Sequence, residues 1–214
     1  REGIQNGTSN YCLGEDVVLQ VVNGDRSSGL VYKWYSSEDN MAFSEILGAT
    51  TENLTVTRLP INTYYMRATA CSDDLTYFNS LTVLVEGINT WDGTQWSMGY
   101  TPILAQPLTI DGNFDSAIDG SLTEACSVHV KSGTIIVRSG NTLKVKEKLI
   151  VDNGANVIFE NSATLLQEND LVVNQGKIKY RRDSQPVRVL DFTYWSSPVS
   201  GQTPAAFSVG TPGI

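Results

Sequence analysis

Histidine occurs once in the 214 residues, and cysteine and methionine three times each. One histidine without a cysteine cluster cannot supply the three or four donors a zinc-type site needs. Flanked by Val128 and Val130, His129 reads as a strand residue facing solvent or a neighbouring rung. No G-x-S-x-G stands in the chain to support a serine nucleophile on a strained turn. Acidic residues are scattered over turns, so the paired carboxylates of a glycoside hydrolase are not recognisable. No stretch approaches the ~20 apolar residues that cross a bilayer as a helix, which argues against membrane insertion. An excess of basic charge is also lacking: the formal net charge is −8, which disfavours nucleic acid and anionic membranes as partners. The acidity sits mostly in the first half, where residues 1–89 carry 5 basic and 11 acidic side chains against 10 and 12 in the remainder. The chain lacks an initiating methionine and reads as a piece of something longer.

What is present is β-structure. Glycine, threonine, serine, valine and asparagine dominate, helix formers are sparse, and the 41% hydrophobic content is ample for buried cores. Alternating Val17, Leu19 and Val21, then Val31 to Tyr35, Leu54 to Val56, Tyr64 to Cys71 and Leu81 to Val85 predict strands, separated by turn signals such as Asn23-Gly24-Asp25 and Pro60-Ile61-Asn62. Trp34 is placed to enter a core. A β-sandwich of about seven strands is the expected outcome over 1–87. From Thr90 the pattern changes to a cycle of apolar triplet, polar turn, apolar triplet. Leu108 to Ile110, Val128 to Val130, Ile135 to Val137, Leu143 to Val145, Leu149 to Val151, Val157 to Phe159 and Leu171 to Val173 are the triplets. None can bury its inward side chains alone, so successive turns must stack. That is the logic of a parallel β-solenoid over 88–190, although triplets and turns also describe a sandwich. Residues 191–214 are expected to close the module and begin another.

Two motifs frame the repeat, T-W-D-G-T-Q-W-S-M-G at 90–99 and Y-W-S-S-P-V-S-G-Q at 194–202. With E-A-C-S-V-H-V-K-S-G at 124–133, they resemble repetitive surface proteins of flavobacteria. The first module, with Y-C-L-G-E-D-V-V-L-Q-V at 11–21, K-W-Y at 33–35 and T-Y-Y-M-R-A-T-A-C at 63–71, resembles the immunoglobulin-like modules of secreted Bacteroidetes proteins. The resemblance implies an all-β chain, an immunoglobulin-like β-sandwich followed by a parallel β-solenoid. It implies export by type IX secretion, with the secretion machinery as a partner, and a cell-surface location with a role in adhesion or gliding.

Several residues are candidates for chemistry. Asp111, Asn113 and Asp115 have the D-x-N-x-D spacing that opens a calcium loop, but Ser116 and Leu122 stand where that loop needs Gly and Glu. A plain polar loop is the alternative; no other cofactor is expected. Asp115-Ser116-Ala117 fits the short O-glycosylation pattern that the resemblance implies, with Ser116 as acceptor. The resemblance also implies a Cys12–Cys71 disulfide. Against it, in the immunoglobulin strand order those two positions fall at opposite ends of parallel-running strands, and a bridge needs Cα atoms within about 7 Å. Cys126 is expected to be a small buried residue of the solenoid wall. Trp91, Trp96, Tyr194 and Trp195 either stack on sugar rings or cap the ends of the strand stack. The expected function is that of a structural and adhesive segment without catalytic activity, presenting surface to a polysaccharide or other ligand. The alternative is an ancillary glycan-binding portion of a secreted polysaccharide-degrading enzyme.

Overall fold

A computed structural model describes residues 3–6, 12, 16–22, 24, 27–120, 122–183, 188 and 203. The described residues are all-β, with no helix among them. The first unit contains β1 (Gly3–Asn6), β2 (Asp16–Val22), β3 (Leu30–Ser37), β4 (Ser44–Glu45), β5 (Leu54–Thr57), β6 (Thr63–Cys71), β7 (Phe78–Asn79) and β8 (Val83–Val85). They form two antiparallel sheets, one ordered β1-β2-β5 and the other β4-β3-β6-β7, with β8 also on β6. Alternation along β2 and β5 sends Val17, Leu19, Leu54 and Val56 inward, where they meet Trp34, Tyr65 and Val85 in one apolar core. Trp34 is fully buried, and its ring N–H donates to the Thr51 carbonyl at 2.9 Å. The indole therefore contributes its large apolar surface without stranding its polar atom.

The second unit is a β-solenoid of about four turns. Its strands are β9 (Asn89–Trp91), β10 (Pro107–Asp111), β11 (Phe114–Asp115), β12 (Glu124–Ala125), β13 (Ser127–Ser132), β14 (Thr134–Val137), β15 (Thr142–Val145), β16 (Leu149–Val151), β17 (Asn156–Phe159), β18 (Thr164–Gln167) and β19 (Lys179–Tyr180). Among the described residues its strands pair in parallel, in three sheets ordered β9-β10-β13-β16, β11-β14-β17-β19 and β12-β15-β18. Phe114 aligns with Ile135 and Ile135 with Val157, steps of 21 and 22 residues that define the rung.

That register makes columns. Leu108, Val128 and Leu149 form one, and Ile110, Val130 and Val151 a second. Val137 and Phe159 continue to Tyr180, while Ala125 stacks on Val145 and Leu143 on Leu165. These side chains share a single buried cluster. Each fully buried Val, Leu, Ile or Phe contributes about 1.5–3 kcal/mol relative to exposure, but only because the rungs above and below exclude water.

Backbone proximity at the corner between the first two sheets demands glycine. A Cβ on Gly112 would lie 2.6 Å from the Gly93 Cα, and one on Gly133 would overlap the Gly112 carbonyl carbon and oxygen. Both residues have positive φ, +151° and +74°, so successive rungs pack backbone on backbone there. At the far end Tyr180 stacks on Phe159 at 4.7 Å between ring centroids. The Arg182 guanidinium lies 4.7 Å over Tyr180 and donates to the Ala163 carbonyl at 2.8 Å.

Two sequence expectations need correction. Leu171 to Val173 is not a strand: Leu171 and Val173 are 89% and 79% exposed. The Leu149 N–H there is met by the Asn174 side-chain oxygen at 2.8 Å, and the Asn174 and Gln167 amides pair reciprocally at 2.8 and 3.1 Å. Side-chain amides thus replace a backbone ladder, and the chain rejoins the sheet only through a bridge from Gln175 to Ile150.

The second correction is the disulfide. Cys12 is bonded to Cys126, with Cα atoms 5.3 Å apart, and Cys71 is free and exposed. The reason lies in β6. Thr63 at its start pairs with Val85, next to the linker into the solenoid, whereas Cys71 ends the strand at the opposite pole. At ~3.3 Å per residue the two ends are roughly 26 Å apart. Cys12 lies at the solenoid side, where the Ser127 hydroxyl donates to its carbonyl at 2.8 Å.

The linker is short and held. The Gly87 N–H donates to the Asn62 side-chain oxygen at 3.0 Å, and the Ile88 N–H to the Leu59 carbonyl at 3.0 Å. A Cβ on Gly87 would strike Ile61 and the Met98 methyl group at 2.5 Å, so the two units touch at the hinge itself.

Candidate functional site

The N-terminal mouth of the solenoid concentrates the distinctive residues. Its T-W-D-G-T-Q-W motif folds into a tight reversal in which Trp91 and Trp96 face one another across an isolated antiparallel bridge. Asp92 holds the turn: its carboxylate accepts the Thr94 N–H at 2.8 Å, the Thr94 hydroxyl at 2.7 Å and the Gln95 N–H at 2.8 Å. Those bonds, the Thr94 hydroxyl first, hold the Asp92 carboxyl below its ordinary range.

The turn drops both indoles onto Phe114. Ring centroids are 5.3 Å apart for Trp91 and Trp96, 5.2 Å for Trp91 and Phe114, and 5.8 Å for Trp96 and Phe114. The Trp91 ring N–H donates to the Asn113 carbonyl at 2.7 Å. Trp91 is only 3% exposed and Trp96 7%. The two rings close the end of the apolar column and offer no open face to a sugar. Tyr194 and Trp195, the other pair of candidate rings, lie outside the described residues.

Above this lid is an open depression of about 430 Å³, bordered by Thr94, Gln95, Trp96, Gly99, Ile118 and Asp119. Ile118 projects from the adjacent loop and is 79% exposed. Asp119 accepts the Asp115 N–H at 2.8 Å, which ties the loop to the rung.

Asp111, Asn113 and Asp115 are each engaged by a different partner. Asp111 accepts the Ser132 hydroxyl at 2.7 Å, Asn113 accepts the Thr134 N–H at 3.0 Å, and Asp115 receives a two-pronged ion pair from Arg138, with Nε at 2.8 Å and Nη2 on the other oxygen. Each partner belongs to the next rung. The Arg138 hydrogen bond holds the Asp115 carboxyl below its usual range. The three side chains are inter-rung clamps and do not fit a calcium loop. Among the described residues no group of three or more His, Cys, Asp or Glu side chains is arranged to hold a metal. Ser116 is half-buried, and its hydroxyl accepts the Arg138 N–H at 2.9 Å and the Asn141 side-chain amide at 3.0 Å. His129 faces outward and meets Asp152 of the next rung at 2.9 Å.

Sequence reasoning did not find the buried polar groups behind the mouth. Asn89 and Gln106 are both completely buried. Asn89 donates to the Tyr100 carbonyl at 3.0 Å, and Gln106 to the Tyr100 hydroxyl at 2.9 Å. Tyr100 in turn accepts from Asn62 of the first unit at 3.1 Å. Glu86 belongs to the same junction, where burial pushes its carboxyl up against the opposing pull of Arg58 and Gln106. The signal was faint in sequence, because amides in a β-chain usually mark turns.

No curated protein matches the chain. Among solved structures, the pectate lyase PelI from Erwinia chrysanthemi in complex with tetragalacturonic acid is similar at 12% identity with a TM-score of 0.30. The match covers 78% of this chain, which spans 63% of that structure. Residues 1–86 match the model described as Domain of unknown function (DUF8696). With residues 86–213 matching its model, well over half of its length, the chain belongs to the family described as Domain of unknown function (DUF8693).

Proposed function

We propose that this chain is a structural and adhesive segment of a large secreted or surface-displayed bacterial protein, a type IX secretion client with no catalytic activity of its own. The observation that carries this reading is the Cys12–Cys126 bridge between the two units. A disulfide persists in oxidising compartments outside the cytosol, and this one joins a two-sheet unit to a stacked rod. The outward polar side chains add support. Asp115, His129, Lys144 and Glu160 each pair with a residue on a following rung, which stiffens the rod.

Surface labelling tests it. Antibody to this chain should stain intact cells of the source bacterium, and deletion of its coding segment should reduce their attachment to polysaccharide-coated surfaces. Recovery of the protein from the cytosol with all three thiols free would overturn the proposal.

A second reading, the glycan-binding portion of a polysaccharide-degrading enzyme, draws on the depression beside Trp96. Its polar rim of Thr94, Gln95 and Asp119 has groups that hydrogen-bond to hydroxyls. On this reading the purified chain binds a glycan array, and Gln95→Ala with Asp119→Ala abolishes binding. Retention by the double variant would remove the depression as the site.

A further inference from the structure

We infer that the Cys12–Cys126 disulfide is a tension bypass, which shields the first unit from β2 onward while the rod carries load. Two sulfurs separated by 114 residues enclose β2 to β12 in one covalent loop. Tension applied before Cys12 and after Cys126 follows the shortest covalent path. It crosses the sulfur bridge and enters the solenoid at β13. The two-sheet unit apart from β1, the linker through Gly87, the tryptophan lid and the first full rung all lie off that path.

The anchorage suits this role. Cys126 is fully buried and Cys12 is 3% exposed. The Cys126 N–H donates to the Gln106 carbonyl at 2.8 Å, and its carbonyl accepts the Glu147 N–H at 2.8 Å. The bridge is therefore seated in the wall, tied to the segment before the first rung and to the rung that follows. Without it, the same tension would run through β2 to β8, whose antiparallel pairs must hold one after another, and then through the single linker. This inference goes beyond the proposed function and rests only on the bridge, so an attachment result leaves it standing.

Single-molecule extension of the full chain, held by handles at its two ends, tests it. Without reductant, complete unfolding of everything on the load path should leave residues 13–125 unextended. Dithiothreitol supplies two electrons and two protons, leaving Cys12 and Cys126 as thiols and itself as a cyclic disulfide. The fully extended length should then grow by about 400 Å, the 114-residue separation at ~3.5 Å per residue. Equal lengths in both conditions would overturn the bypass. Iodoacetamide labelling in denaturant without reductant provides an independent check that needs no variant. Modification of Cys71 alone is expected, and modification of all three cysteines, or a peptide joining Cys71 to either partner, overturns it. The Cys12→Ser, Cys126→Ser double variant should show the longer extension without any reductant.

Discussion

Asp115 shows how a residue in this chain acquires its role from one 23 positions later. Its carboxylate is bound by Arg138, and the lowered carboxyl pKa that results has a definite sign. The folded state gives up the proton more readily than the unfolded chain, so the pair stabilises above the ordinary carboxylate range near ~4 and the benefit is lost as pH falls through the lowered value. Asp115→Asn should therefore reduce the urea midpoint at pH 7 and narrow the gap between pH 7 and pH 3. Glu86 has the opposite sign. Burial raises its carboxyl, so the fold gains stability as pH drops through the raised value. Glu86→Gln imitates the protonated form, and its urea midpoint should exceed that of the unaltered chain at pH 7, with the difference closing below pH ~4. Among apolar residues Leu143 is the cleanest probe, since it is fully buried in the column over Leu165. Leu143→Ala should cost about 2–5 kcal/mol in denaturant unfolding.

The elements of the solenoid are only three to six residues long from β13 to β17, too short to persist singly. Their stability comes from stacking, and the glycine corner sets how closely they stack. Gly133 and Gly154 both have positive φ, but a Cβ on Gly154 meets nothing within 4 Å. Gly154→Ala should cost only the backbone strain, about 1–2 kcal/mol. Gly133→Ala adds a collision with the Gly112 backbone and should lower the melting temperature substantially more. Side-by-side thermal unfolding of the two variants separates strain from collision. The triplets around Val128, Ile135, Leu143, Leu149 and Val157 were legible in sequence because apolar alternation with glycine turns is a local signal. β11, with Phe114 inside the irregular stretch, and β18, whose inward and outward residues are both leucines, were not. Leu171 to Val173 misled for the converse reason: three apolar residues in a row cannot state whether a rung exists beside them.

At the scale of the whole molecule, two units with different strand geometry are joined by a polar junction and a covalent bridge. Asn62, Tyr100 and Gln106 form the junction, and Cys12 with Cys126 forms the bridge. Reduction should therefore separate what non-reducing conditions hold together. Limited proteolysis with dithiothreitol present should release the first unit by cleavage near the linker, whereas without it the same nick should leave the fragments joined on a non-reducing gel. Of the candidate functional residues, Trp91 and Trp96 lie at the mouth, and the sequence left open whether they face sugar or core. Burial against Phe114 resolves their geometry as a lid.

The amino-acid order alone determined the all-β character, the succession of short apolar strands and turns in the second half and the end at which Trp91 and Trp96 sit, because each of these is a short-range property of alternation and turn chemistry; the rung period came from the register. Only the tertiary structure decided that Cys12 reaches Cys126, that Asp111, Asn113 and Asp115 clamp the next rung, and that Asn89 and Gln106 are buried. Those outcomes depend on which segments meet: the bridge joins residues 114 positions apart and the clamps 21 to 23, and even the shorter reach from Asn89 and Gln106 to Tyr100 has no local pattern that announces it.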